Sequence, residues 1–224
     1  MLSLNRLTKL TKYLIIINTV LWVLEVIFLR TSLAKIVNSL FLYPNQVMDG
    51  KVWQLLTYSF FHSPSNIFHL ILNMMVLFFF AYDLELKWGK KRFLFFYLIS
   101  AVVGGIFVLI EAKFFIPAHY IIPTVGASGS IFALTTAYAL TYGEREIYLI
   151  VFPIKAKYLI HIDLTIIVLS YLSISNSDVS NAAHLGGMAS AFLLIKIPWY
   201  KINGKFKKGN HKREKVTDYL KRVK

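Results

Sequence analysis

A chain of 224 residues that is 57% hydrophobic, with a mean hydropathy of +0.59, is too apolar for a soluble globule, whose apolar share is roughly 45–50%. Its length suits one domain, which points to a single membrane-embedded unit. The net charge of +14 does not indicate nucleic acid as a partner, because no basic patch is interleaved with stacking aromatics. The chain has no cysteine, which removes disulfides, thiol catalysis and thiolate metal sites; no metal and no cofactor are expected.

Taken in chain order, six apolar stretches approach the ~20 residues needed to cross a bilayer: Tyr13–Leu29, Ile67–Leu84, Phe93–Ile110, Thr124–Tyr142, Tyr158–Ile174 and Ala182–Ile197. The first is too long for a signal peptide, carries Glu25 and is followed at once by Arg30, so it is expected to be retained. Residues 30–66 form a long loop whose pieces "LFLYP" and "VWQLLTYSFF" are too short to span. They are expected partly in the membrane interface, which suits Tyr43, Trp53 and Tyr58. The stretch 143–157 contains "IYLIVFP", which Pro153 ends before it could cross. The last loop, "SISNSDVSN", lacks cations, and the chain closes on a basic segment. This divides the chain into a membrane domain, 1–200, and a basic cytoplasmic tail, 201–224.

Charge sets the orientation. With the N-terminus inside and each stretch crossing once, the inner segments hold Arg6, Lys9 and Lys12, then Lys87, Lys90, Lys91 and Arg92. Arg145, Lys155, Lys157 and eleven more cations from Lys196 onward also fall inside. Only Arg30, Lys35, Lys51 and Lys113 fall outside. This is the positive-inside asymmetry. The reading is an all-α membrane protein, a six-helix bundle with both termini cytoplasmic and membrane lipids around it. The tail is read as a topology signal, with attraction to anionic lipid as a lesser reading.

In this orientation spans two, four and six all run inward, so their first residues share one depth near the outer face. Those residues include His69 and Asn73, then Ser128, then His184. Alone, each has a plain structural use: a serine bonding its own helix, glycines permitting close packing, a histidine at an interface. Together at one depth they fit acyl transfer. Ser128 is a nucleophile if a base takes its proton, and His184 is that base. The Ser128 amide, the Asn73 side chain and the His69 ring are candidate donors to an oxyanion. The glycines of "GASG", Gly126 and Gly129, let backbone and substrate approach closely, and Gly187 lets span six press on span four. His161 and Asp163 lie near the other end of their span, so a two-residue Ser–His arrangement is expected.

The motifs "GASG" around Ser128, "AHLGG" at 183–187, "HLILN" with His69 and Asn73, and "ELKWG" with Glu85 and Gly89 resemble those of the rhomboid intramembrane serine proteases, in their compact six-span bacterial form. The likeness runs from about residue 37 to 197. It implies a cell-membrane endopeptidase that cuts single-span transmembrane protein substrates near the outer face. It further implies Ser128 as nucleophile, His184 as base, and His69 with Asn73 supporting the oxyanion. Phe132 is similar to an aromatic that packs on the catalytic histidine. Two positions depart from the family pattern: Gln54 stands where an arginine often organises the first outer loop, and Ala191 where a glycine is frequent.

Two other readings compete with this one. A rhomboid-like protein that binds membrane clients without cutting them typically lacks the serine or the histidine, and both are present. A transporter calls for inverted repeats and discontinuous helices, for which the sequence gives no sign. The charge asymmetry makes a direct prediction: reporters fused at Lys224 and within 175–181 should localise to opposite sides of the membrane, the first inside. A tail found outside would overturn the topology.

Overall fold

The computed structural model describes residues 7–149, 152–172 and 180–197. Helix α1 (Lys9–Phe28) is followed by three short helices, α2 (Ala34–Asn38), α3 (Pro44–Met48) and α4 (Gln54–Thr57). Then come α5 (Ile67–Trp88), α6 (Lys90–Phe114) and α7 (Ser128–Tyr142), and finally α8 (Leu159–Leu172) and α9 (Asn181–Lys196). Every predicted apolar stretch is therefore helical over most of its described part. Helices α1, α5 and α6 are long and apolar enough to cross a membrane. The loop following α8 up to residue 179, the last two residues of the fifth stretch and the basic tail lie outside the described residues.

Helix α7 is the centre. From Gly129 to Ala139 every residue except Phe132 is buried, as befits a helix that is apolar all round. Its small residues, Gly129, Ser130, Ala133 and Ala137, let α5, α6, α8 and α9 pack around it. The closest approach is to α9, where a Cβ on Gly187 would collide with the Gly129 carbonyl. Helix α6 meets α9 through Gly104 and Gly186: a Cβ on Gly186 would lie 2.9 Å from Gly104 Cα. Hydroxyls join the same contacts. Ser190 Oγ donates to Ser100 Oγ at 2.8 Å, and Ser130 Oγ donates to the Tyr97 carbonyl at 2.7 Å. Such bonds average about 0.6 kcal/mol inside membrane bundles, so close packing carries most of the stability here.

The Glu85 and Gly89 pair acquires a structural meaning. Glu85 is buried and accepts hydrogen bonds from the hydroxyls of Thr8 and Thr11, tying α5 to the start of α1. Gly89 sits at φ 81°, ψ 156° and turns the chain from α5 into α6, a conformation open essentially to glycine alone.

Three expectations need correction, and one departure from the family pattern is resolved. The fold is not all-α: Glu146–Leu149 and Phe152–Lys155 form two antiparallel strands, β1 and β2, with Ile147 opposite Ile154 and Tyr148 opposite Pro153. The apolar run "IYLIVFP" is rich in β-branched and aromatic residues, which favour a pleated surface, and Pro153 is tolerated on a two-stranded ribbon, all of which is edge. Tyr58 is not interfacial. It is buried, and its hydroxyl donates to the Ala101 carbonyl at 2.9 Å.

Helix α7 does not begin at Thr124. Residues 124–127 are irregular, Thr124 pairs with Leu42 across an isolated bridge, and Gly126 at φ 135° breaks the helix. Ser128 is thus at the helix start rather than a turn inside it. Finally, Gln54 does not leave the first loop without an organiser. It is fully buried, accepts from the Tyr43 amide at 3.0 Å, and donates to the Ser39 carbonyl and Gln46 Oε1 at 3.1 and 3.0 Å. An amide both donates and accepts, so it links α2, α3 and α4 without a charge.

The tight α7–α9 contact yields a prediction. Gly187→Ala should force the two helices apart and lower stability by about 1–3 kcal/mol, the usual cost of overpacking, read as a fall in detergent-solubilised Tm. An unchanged Tm would show that the contact yields without cost.

Candidate active site

Three helix starts converge. Ser128 is the first residue of α7, His184 the fourth of α9 and His69 the third of α5. Ser128 Oγ and His184 Nε2 are 2.8 Å apart. The His184 ring lies flat on Phe132, with centroids 3.9 Å apart and planes 7° from parallel; Phe132 is one helical turn beyond Ser128. The imidazole is 3% exposed, and its Nδ1 has no hydrogen-bond partner among the described residues. Stacking, rather than a carboxylate, therefore orients the ring. With its proton on Nδ1, Nε2 is the acceptor facing the serine hydroxyl.

Asp163 is engaged elsewhere, accepting from Thr135 Oγ1 at 2.6 Å, and His161 lies beside Tyr158. Neither joins His184.

The approach to Ser128 is shaped by Gly126. Its amide donates to the Tyr58 carbonyl at 3.1 Å. A Cβ here would stand 2.9 Å from both Cε1 and Nε2 of His69 and 3.5 Å from Ser128 Oγ. Glycine is required twice over, by the positive φ and by the histidine ring. His69 Nδ1 accepts from the Ser63 amide at 3.4 Å, which leaves the proton of a neutral ring on Nε2, the nitrogen beside Gly126. The Ser128 amide belongs to the first turn of α7, whose N–H groups have no partner within the helix and carry the positive end of the helix dipole.

Asn73 is buried one turn below His69 and donates to the His69 carbonyl at 2.7 Å. One of its N–H groups is thus committed to its own helix, and a second is left to donate. The structure brings Ser128, His184, His69 and Gly126 into one contact cluster, with Asn73 attached through His69. Tyr58 was missed as a site residue. Its backbone carbonyl fixes Gly126 while its ring packs deep in the bundle, a combination that an aromatic-rich loop does not signal in sequence.

A multi-pass helical membrane protein with a hydrogen-bonded serine and histidine where three helix starts meet is the class that this fold and site define. Residues 49–201 match the Rhomboid domain, and the chain belongs to the rhomboid family. It is 32% identical over 151 residues to YdcA of Bacillus subtilis (strain 168), which carries the name of a rhomboid protease; the match covers 66% of this chain and 68% of that protein. It is 29% identical over 185 residues to RHOMBOID-like protein 12, mitochondrial, of Arabidopsis thaliana, covering 76% of this chain and 52% of the relative. The rhomboid protease GluP of Bacillus subtilis (strain 168) is 26% identical over 147 residues, which cover 65% of this chain and 26% of GluP. The match therefore spans about two thirds of the first relative and about half or less of the other two.

Gly126→Ala should be costly at this site. Strain at a positive φ is of order 1–3 kcal/mol, and the new methyl must also displace the His69 ring. A Tm as high as that of the parent protein would contradict this account of the turn.

Proposed function

We propose that this protein is a rhomboid-type intramembrane serine endopeptidase of the bacterial plasma membrane. In this reading six spans cross the bilayer, both termini are cytoplasmic, and single-span membrane proteins are cut near the outer face. The 2.8 Å approach of Ser128 Oγ to His184 Nε2 carries the reading. Helix length supports the depth: the 15 residues of α7 rise about 22 Å, less than the ~30 Å hydrocarbon core. With its far end at the inner face, as the charge asymmetry has it, the start of α7 would lie within the membrane.

The chemistry follows from the geometry. Ser128 Oγ attacks the scissile carbonyl as its proton passes to His184 Nε2. The developing oxyanion is held by the Ser128 amide, by His69 Nε2–H and by the second N–H of Asn73, while Gly126 leaves room for the substrate backbone. His184 then gives its proton to the leaving amine, and the acyl-enzyme forms. Water, deprotonated by the same histidine, attacks the ester and releases the acid. Substrate helices enter from the lipid and unwind locally at small or helix-breaking residues to expose the bond.

The test is purified protein in one detergent with a panel of labelled single-span substrates. Ser128→Ala and His184→Ala should each abolish cleavage, and the double variant should be little worse than either, because residues acting as one unit are non-additive. A fluorophosphonate should label Ser128 and not its alanine variant. His69→Ala or Asn73→Ala should lower kcat by up to about 10²–10³ with the other donors in place, at nearly unchanged Tm. Robust cleavage by Ser128→Ala would refute the mechanism, and a folded wild type that cuts no substrate and takes no label would favour a client-binding protein.

A further inference from the structure

Glu25 lies in the last turn of α1, is 1% exposed and has no part in the chemistry above. Acidic groups in such positions are expensive and call for a function. Glu25 Oε2 accepts from the His62 amide at 3.1 Å, and Trp22 Nε1, one turn away on the same face of α1, donates to the Ser63 carbonyl at 3.1 Å. These two bonds grip consecutive residues of the segment between the short loop helices and α5. That segment is buried: Phe61, His62 and Ser63 are 6%, 0% and 4% exposed.

The gripped residues are the ones that address His69. The Ser63 amide donates to His69 Nδ1, and the His62 ring meets the His69 ring edge-on, with centroids 5.2 Å apart and planes at 66°. Polar atoms held this far from water are costly unless they fix something. Here they hold the peptide units on either side of the Ser63 N–H, which lies 3.4 Å from His69 Nδ1; a donor at Nδ1 favours the proton on Nε2.

We propose that Glu25 and Trp22 of α1 are positioning residues for His69, acting through the His62–Ser63 peptide to keep the His69 proton on Nε2, where it faces Gly126 and Ser128. The inference rests on the proposed proteolytic role of His69 for its effect on rate, but its effect on the His69 tautomer does not. Helix α1 thereby takes part in the site without touching it. An uncharged acceptor serves as well as a carboxylate, since the bond needed is a single N–H···O.

The test combines a mutant cycle with spectroscopy on the full chain. Glu25→Ala and Trp22→Phe should each lower kcat about ten-fold, less than the loss of a whole oxyanion donor, with KM within about two-fold. Glu25→Gln should restore the rate. In a His69→Ala background neither change should slow the reaction further, because residues acting through one group are not additive. In ¹⁵N-histidine spectra, with His69→Ala assigning its resonances, Glu25→Ala should move the Nδ1 and Nε2 shifts of His69 toward the other tautomer. Glu25→Gln should leave those shifts in place.

Equal slowing by Glu25→Ala with and without His69 would overturn the proposal and make α1 merely a structural support, as would unchanged His69 shifts in folded Glu25→Ala and Trp22→Phe. Altered shifts in a protein that cuts nothing would uphold the positioning role and refute the proteolytic reading instead.

Discussion

Nearly everything about this site depends on how closely α9 can approach α7. At Gly187 the two backbones are separated by less than a methyl group would allow, and the atom that a methyl would strike is the carbonyl of Gly129, the residue after Ser128. One turn before Gly187, His184 is thereby delivered to Ser128 at hydrogen-bond distance. The same closeness brings Phe132 flat against the imidazole. A wider crossing would separate the pair by more than a hydrogen bond can bridge. In a bilayer, where lipid tails compete on equal terms with apolar side chains, close backbone packing is also what holds helices together. Stability and site geometry here share one contact.

A second constraint acts from the loop side. The segment from Leu42 to His69 passes over α6 and returns to α5, held by side chains that bond the backbone: Gln54 to Tyr43 and Ser39, Tyr58 to Ala101, Thr57 to Leu40. Within membrane depth an irregular backbone is tolerated only where such partners are supplied. Gly126 is fixed to this segment through the Tyr58 carbonyl, and His69 emerges from its far end. Gly126 and the approach to His69 are therefore placed by an interlocked loop, whereas Ser128 and His184 are placed by helix packing. Changes in the loop should act on rate through His69 and Gly126, and changes at the α7–α9 contact should act on fold and rate together.

Much of this was written in the chain. Apolar stretches of membrane length dictate helices, because a backbone in hydrocarbon must satisfy its own hydrogen bonds, and each such stretch is helical over most of its described part. The residues at the helix starts were legible as well. Ser128, His184, His69 and Asn73 stand out as candidates because polar and ionisable residues are costly in such segments, Gly126 stands out beside the serine, and the motif resemblance to the rhomboid family agrees with the match over 49–201. Glu85 and Gly89 were marked out by the motif resemblance, although their separate uses, bridging α1 and turning the chain, were not.

What only the tertiary structure decided is where competition between partners settles the outcome. Whether "IYLIVFP" pairs as a hairpin or continues as a helix depends on a second strand and a packed surface, neither visible in a local window. The start of α7 moved to Ser128 because Thr124 found Leu42 across the fold and Gly126 found Tyr58, long-range bonds that override a continuous apolar run. Gln54 reads as a lost cation in sequence, yet its amide meets three partners that only folding brings together. Glu25 is visible as an oddity in an apolar helix, but its partner lies 37 residues on. The sequence determined the helices and the residue types needed for a site; the contacts that join them came from packing, because hydrogen-bond partners distant in the chain are chosen only when helices close on one another.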